Sequence, residues 1–192
     1  MGGLQTGSNY NVSTRFTALV PENPLMIPQR TSNPSYTTAE LVYQLEMTKT
    51  RLLVVHPDVL PIAQAAAKQV NLPESHIILI KTPSVSHPSC NHPTLDEIIA
   101  SGLSIPPAFT ERRLSEGEAK SKLALLSFSS GTTGKPKAVK VSHYAIIANV
   151  IQKAALNTGS DRFKPGGAAT GVLPLFHIYG LIVNVSLFLS SP

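Results

Sequence analysis

The apolar positions in the first half of the chain predict a strand, a helix and a second strand in succession. Residues 51–55 and 76–80 are short apolar runs typical of strands buried in a parallel sheet. Between them, Pro57 opens an alanine-rich segment that predicts a helix ending at about Val70. We therefore expect one βαβ unit with a right-handed crossover over residues 51–80.

Helix-capping patterns predict three further helices. Thr37 with Glu40, and Thr94 with Glu97, have the spacing of a capping box, which predicts helices over about residues 38–49 and 94–100. Ser142 is placed to cap a third helix over about residues 143–156. The helical repeat predicts that five apolar side chains of this helix face inward: Ile146, Ile147, Val150, Ile151 and Ala154.

The remaining segments differ in how strongly they predict structure. Residues 1–32 contain three prolines and no sustained periodicity, so we predict a poorly specified leader there. Residues 82–122 form a long, proline-rich connection. A strand-like run follows at 171–175, and the apolar stretch 178–189 predicts a buried helix. Because that stretch is too short to span a bilayer, we expect no membrane span.

A polar loop lies between two apolar runs, 123–128 and 138–141, that predict strands. This Gly/Thr loop, residues 129–137, reads Ser129-Ser130-Gly131-Thr132-Thr133-Gly134-Lys135-Pro136-Lys137. Glycines let a backbone approach an anion closely, hydroxyl groups donate hydrogen bonds, and lysines supply positive charge. The composition is therefore suited to holding phosphate, although a flexible hairpin with surface lysines would have the same composition.

The Gly/Thr loop does not match a Walker P-loop. That pattern requires a glycine where this chain has Ser129, and a Ser or Thr where it has Pro136. A helix would also begin at Lys135, whereas β-type residues follow here. A phosphotransferase of the P-loop type is therefore disfavoured, and we expect the loop to join two strands.

Charge is distributed unevenly along the 192 residues. Residues 1–118 carry eight Lys and Arg against ten Asp and Glu, whereas residues 119–192 carry eight against one. The basic half contains the Gly/Thr loop and would favour an anionic ligand, unless acidic groups elsewhere neutralise it. Only Tyr144 and Phe163 accompany these basic residues, which gives no stacking platform, so we expect no nucleic-acid partner.

Cysteine and histidine usage argues against an internal disulfide framework and against a metal site. The single cysteine, Cys90, cannot form an internal disulfide and fits a reducing compartment, so we expect a cytoplasmic protein. No signal-peptide pattern or peroxisomal address is present, and a peroxisomal location stays open only for a full-length relative. His87, Cys90 and His92 lie close together without an apparent fourth ligand, so we predict no metal site.

Two motifs resemble those of adenylate-forming enzymes, the group of acyl-CoA synthetases, 4-coumarate–CoA ligases and luciferases. The Gly/Thr loop is similar to the signature of that family, and Leu173-Pro174-Leu175-Phe176-His177-Ile178-Tyr179-Gly180 resembles its downstream segment. Asn33-Pro34-Ser35-Tyr36-Thr37 is similar to an upstream segment of 4-coumarate–CoA ligase-like members. The resemblance implies an α/β fold with a mixed sheet and flanking helices, and makes residues 33–192 a partial adenylation domain.

The resemblance also implies roles for individual residues. The Gly/Thr loop would hold the β- and γ-phosphates of ATP through Ser129, Ser130, Gly131, Thr132, Thr133, Gly134 and Lys137. His177 would lie where the substrate carboxylate meets the α-phosphate and would stabilise charge there, and Tyr179 would line the acyl pocket. Lys135 is expected to be solvated. Ala138 stands where the family usually has glycine, which puts the exit geometry of the loop in question.

The implied reaction joins a carboxylic acid to ATP, giving acyl-adenylate and pyrophosphate, and then transfers the acyl group to CoA. The implied cofactors are ATP, Mg²⁺ and CoA, and the acid includes aromatic candidates. The family's Thr-Glu motif for magnesium is not found after the segment at residues 173–180, so we expect the magnesium ligand to be absent from this chain. We predict a fragment of an acid–thiol ligase that is not active alone. The alternative is a non-catalytic fragment that binds phosphate or a partner.

Overall fold

The computed structural model describes residues 16–19, 29–33, 35–81, 91–105, 113–129, 135–157, 173–174 and 176–182. Within these residues a mixed six-stranded sheet is flanked by helices, which confirms the predicted α/β class. The strands are β1 (Phe16–Leu19), β2 (Gln29–Ser32), β3 (Leu52–Val55), β4 (Ile77–Leu79), β5 (Leu123–Ser129) and β6 (Lys137–Ser142). The helices are α1 (Thr38–Thr48), α2 (Leu60–Gln69), α3 (Leu95–Leu103) and α4 (His143–Asn157).

The sheet has the strand order β4-β3-β1-β2-β5-β6. Strands β3 and β4 are parallel, as are β2 and β5, whereas β1 runs antiparallel to both of its neighbours and β5 runs antiparallel to β6. The parallel pair β3–β4 is joined by a short 3-10 turn, Pro57–Val59, and by α2, which confirms the predicted βαβ unit.

The main core lies between β3, β4 and the two helices α1 and α2. Leu53 and Val55 of β3 are fully buried, and Leu52 and Val54, which alternate with them, are half-buried. The same cluster contains buried side chains from α1, α2 and β4, including Leu41, Leu45, Ala63, Ala66 and Ile77. This core fixes α1 firmly beside the sheet, and the Gly/Thr loop contacts α1, as described below.

Helix α1 begins with the predicted capping box. The Thr37 hydroxyl accepts a hydrogen bond from the Glu40 backbone N–H at 3.3 Å, and the Thr37 backbone N–H donates to the Glu40 carboxylate at 2.8 Å. The Thr37 hydroxyl also donates to the Glu40 carboxylate at 2.7 Å. The bond from the Thr37 backbone N–H first, and this bond from its hydroxyl second, hold the pKa of Glu40 below its usual value of 4.5. The second predicted box, Thr94 with Glu97, is also confirmed and begins α3.

We expect Thr37→Ala to lower the free energy of unfolding by about 1 kcal/mol at neutral pH, because it removes the N-cap of α1. A carboxylate with a lowered pKa stabilises the fold above its usual pKa and loses that contribution as the pH falls through the folded-state value. The difference between variant and wild type should therefore shrink in acid, which urea unfolding at several pH values would measure.

Thr94→Ala is the matched control. It removes the same kind of cap from α3, which has no buried residue, so it should cost less; equal costs would contradict the prediction.

Three sequence predictions differ from the structure. No strand was predicted before residue 33, yet β1 and β2 occupy the middle of the sheet. Ile147 and Ile151 of α4 are exposed rather than inward, because an apolar stripe marks a helix face without showing what packs on it. At 171–175, the described residues Leu173 and Pro174 are not in a strand, and the other three lie outside the described residues.

The helix predicted over residues 178–189 is present at 178–182, and the residues after 182 lie outside the described part. Across the described ranges, no helix is both long enough and apolar enough to cross a membrane.

Candidate functional site

The two ends of the Gly/Thr loop are held together by a β-hairpin. Ser129, the last residue of β5, is paired with Lys137, the first residue of β6, in the antiparallel ladder. No helix begins at Lys135, where a P-loop would begin one, and a strand begins at Lys137, so the prediction that this loop joins two strands is confirmed. The predicted phosphate-binding residues Ser130, Gly131, Thr132, Thr133 and Gly134 lie outside the described residues.

The exit of the Gly/Thr loop contacts helix α1. The Tyr43 hydroxyl donates a hydrogen bond to the Pro136 carbonyl oxygen at 3.0 Å, and the Lys135 ammonium lies 5.2 Å from the centre of the Tyr43 ring. Lys135 is exposed, as expected for a solvated side chain, but it also lies against this aromatic face. The backbone just before Lys137 is therefore bonded to a helix that belongs to the main core.

A cleft of about 470 Å³ joins the loop ends to the segment that contains His177. Ser129 and Pro136 line it from the hairpin, and Phe176, His177 and Ile178 line it from the downstream segment. Its other walls are formed by Asn33, Tyr36, Gln44, Ser127, Phe128, Val139 and Val141. Two residues singled out from the sequence, Ser129 and His177, are thus brought together, whereas Lys137 is exposed at the mouth of the hairpin and does not line the cleft.

His177 is oriented by two backbone hydrogen bonds in a tight turn. Its N–H donates to the Pro174 carbonyl oxygen at 3.1 Å, and its Nδ1 atom accepts from the Tyr179 N–H at 3.2 Å. Because Nδ1 is an acceptor, the proton of the neutral imidazole is on Nε2. His177 can therefore donate a hydrogen bond from Nε2 to an oxygen atom of a ligand.

Gly180 allows this turn to close. It is buried, and a Cβ atom at this position would collide with the Pro174 carbonyl oxygen, the same atom that accepts from His177. Only a residue without a side chain lets these two backbones approach so closely. The glycine in the segment at residues 173–180 therefore has a physical role in placing His177.

Tyr179 lines a second groove of about 310 Å³ rather than the cleft that His177 lines. Val141 and Ile178 line both spaces, so the two are adjacent. Ala145, Ile146 and Ile182 make this groove apolar, and Asn149 and Lys153 add polar groups. The Oδ1 atom of Asn149 is buried without a hydrogen-bond partner among the described residues.

The structure gives His92 a structural role. Its ring is buried and lies 3.0 Å from the Gln64 amide nitrogen and 3.2 Å from the Glu74 carbonyl oxygen. His87 and Cys90 lie outside the described residues. Within the part of the chain that is described, no group of three or more His, Cys, Asp or Glu could hold a metal ion.

Two residues of the site were not predicted from the sequence. Tyr43 contacts the loop exit, and Gln44 lines the cleft. They follow Leu41 on α1, and nothing in the helical pattern distinguishes a residue that faces the loop or the cleft from other positions of the helix. Asn33 and Tyr36, in contrast, belong to the upstream segment that was singled out from the sequence.

Comparison with known proteins identifies the family. The model for the AMP-binding enzyme family matches residues 30–191, which is most of the chain. The chain belongs to the AMP-binding enzyme family. The match includes the Gly/Thr loop, the cleft and the segment that contains His177.

Relatives in this family include an acyl-CoA ligase and a 4-coumarate–CoA ligase. An acyl-CoA ligase of Alternaria alternata is 34% identical over 154 residues, covering 78% of this chain and 25% of the relative. The 4-coumarate–CoA ligase 3 of Arabidopsis thaliana is 34% identical over 151 residues, covering 79% of this chain and 24% of the relative. The chain therefore spans about a quarter of the length of the curated relatives that it matches.

Solved structures support the same fold. A natural red-emitting luciferase from Phrixothrix hirtus superimposes with a TM-score of 0.64 at 23% sequence identity. The superposition covers 83% of this chain and 29% of the luciferase. At this level of identity the likeness supports the AMP-binding fold and does not distinguish between ligases and luciferases.

Proposed function

We propose that this chain is the ATP phosphate-binding part of an acid–CoA ligase, which forms an acyl-adenylate and then an acyl-CoA. The observation that carries the proposal is that Ser129, at one end of the Gly/Thr loop, and His177 line one cleft. The ligases among the relatives favour this activity over light emission. The proposal includes a cytoplasmic location, where ATP and CoA are both available.

In this proposal the Gly/Thr loop holds the β- and γ-phosphates of ATP. Backbone N–H groups and hydroxyls of residues 129–134 would follow the polyphosphate, and Lys137 would offset its negative charge. The Nε2–H of His177 would donate to the oxygen that joins the substrate carboxylate to the α-phosphate, so that negative charge in the transition state is stabilised. These roles use charge and orientation and require no proton transfer by His177.

Magnesium enters this proposal only through ATP. The residues described as lining the cleft include no Asp or Glu, so none of them is assigned as a magnesium ligand. We accordingly propose that the 192 residues alone bind the phosphates of ATP without completing the adenylation reaction.

The acid is proposed to enter through the groove that Tyr179 lines. Its apolar walls suit the non-reacting end of an aromatic or aliphatic acid, and its contact with the cleft at Val141 and Ile178 would place the carboxylate near His177. A hydroxyl or amino group on the acid could donate to the buried Asn149 oxygen.

Calorimetric titration with three ligands tests the ATP assignment. ATP and pyrophosphate should bind saturably, and AMP at least about tenfold more weakly, because the loop is proposed to contact the β- and γ-phosphates, which AMP lacks. The alternative, a non-catalytic fragment that attracts anions generally, predicts millimolar or absent binding with no preference against AMP. Pyrophosphate exchange by the purified chain that depends on an added acid would contradict the proposal that it is inactive alone.

A further inference from the structure

The strongest unassigned feature is the double contact between Tyr43 and the exit of the Gly/Thr loop. The phenol hydroxyl donates to the Pro136 carbonyl oxygen at 3.0 Å, and the ring face lies under the Lys135 ammonium at 5.2 Å. Tyr43 is half-buried on α1 and is 93 residues away from Pro136 in the sequence. Two different groups of one side chain thus hold two consecutive residues of the loop.

We propose that Tyr43 is a positioning residue for ATP binding, which fixes the backbone of the Gly/Thr loop where Lys137 begins β6. The inference rests on the proposed function, because the purpose of this positioning is to direct Lys137 toward phosphate. Pro136 has no N–H, so within this residue only the carbonyl oxygen can anchor its backbone by hydrogen bonding. The peptide bond that carries this oxygen also carries the N–H of Lys137.

The two sides of this contact differ in how firmly they are held. Helix α1 is anchored in the core by Leu41 and Leu45, which are almost completely buried, so Tyr43 projects from a fixed element. Strand β6 has only exposed and half-buried residues, and among the described strands it pairs with β5 alone. A second anchor at Pro136 therefore restricts the loop exit more than it stabilises the fold as a whole.

Two substitutions separate the two contacts. Tyr43→Phe removes the hydroxyl and its bond to Pro136 but keeps the ring under Lys135, whereas Lys135→Gln removes the cation and keeps the hydroxyl. The matched control is Tyr144→Phe. Tyr144 also lies under a lysine, with the Lys120 ammonium 5.6 Å from its ring centre, but it belongs to α4 and lines neither the cleft nor the groove.

The decisive experiment measures backbone order and ATP affinity in the same set of proteins. In the free protein, Tyr43→Phe should lower the ¹⁵N order parameters of Lys135 and Lys137, while Tyr144→Phe leaves them at wild-type values. ATP affinity should fall about two- to tenfold for Tyr43→Phe, the range expected for one lost neutral hydrogen bond. Lys135→Gln should have a smaller effect, and the urea midpoint should change little in all three variants.

The outcomes distinguish this inference from the proposed function. Wild-type order parameters at Lys135 and Lys137 in Tyr43→Phe would overturn the positioning role, whether or not ATP binds. A lowered urea midpoint with unchanged order parameters would also overturn it, because Tyr43 would then contribute only packing. If the wild-type chain binds no ATP but Tyr43→Phe still loosens the loop exit, the ATP assignment fails while the positioning contact stands.

Discussion

Leu53→Ala should lower the free energy of unfolding by about 2–5 kcal/mol, the range measured when a buried leucine is cut back to alanine. Leu53 is completely buried in β3, opposite Ala18 of β1 and Ile77 of β4 in the ladder. The loss has two parts: the removed methyl and methylene groups no longer contribute the free energy of burying apolar surface, and a cavity remains in the folded state. Because a domain has only about 5–15 kcal/mol of stability, the variant would be close to unfolding.

The matched control for this prediction is Leu156→Ala. Leu156 is 81% exposed near the end of α4, so its truncation should change stability by less than about 0.5 kcal/mol. Urea unfolding of both variants, followed by circular dichroism, measures the difference. Similar losses for the two variants would contradict the burial of β3 at the centre of the core.

The elements that could be predicted from the sequence are those whose signals are local. Thr37 and Glu40, like Thr94 and Glu97, lie within four residues of each other and make the predicted capping bonds. The strands β3 and β4 also combine a short apolar run with a nearby turn signal, and their parallel pairing follows from the helix between them.

Strands β1 and β2 could not be predicted in this way. Strand β2 has the polar sequence QRTS, and it is a strand because it pairs with β1 on one side and with β5 on the other. Its parallel partner in β5, Leu125, is almost a hundred residues later than Gln29. A pairing of that kind depends on the tertiary fold, and local propensity carries no information about it.

In the candidate site, too, features with a local sequence signal could be predicted, and features that depend on the tertiary fold could not. The Gly/Thr loop was apparent from its residue types, and its position between two strands followed from the apolar runs beside it. The proximity of His177 to Ser129 depends on a turn almost fifty residues later, and only the resemblance to a known family suggested it. Tyr43 gave no signal, because its contact with Pro136 joins two segments that the sequence does not relate.

We expect Lys137→Ala to weaken ATP binding by at least about tenfold. A hydrogen bond to a charged group contributes about 1.5–3 kcal/mol, and each 1.4 kcal/mol corresponds to a factor of ten in affinity. Lys137 begins β6 directly opposite Ser129, so its ammonium group can reach a phosphate held between the two ends of the loop. The effect should be larger for ATP and pyrophosphate than for AMP.

Lys140→Ala removes the same charge from the same strand and separates a specific contact from the general positive field. Lys140 is paired with Leu126 in the ladder and, being three residues from Lys137, points to the opposite face of the strand. Long-range attraction between the protein and ATP would decrease equally in the two variants, and salt screens it. At physiological ionic strength, the loss of this attraction should therefore lower ATP affinity by less than about twofold in each variant. A tenfold loss in Lys137→Ala alone would therefore place phosphate at the mouth of the hairpin. Equal losses in both variants would indicate that ATP is attracted by the basic half of the chain and is not held by the Gly/Thr loop.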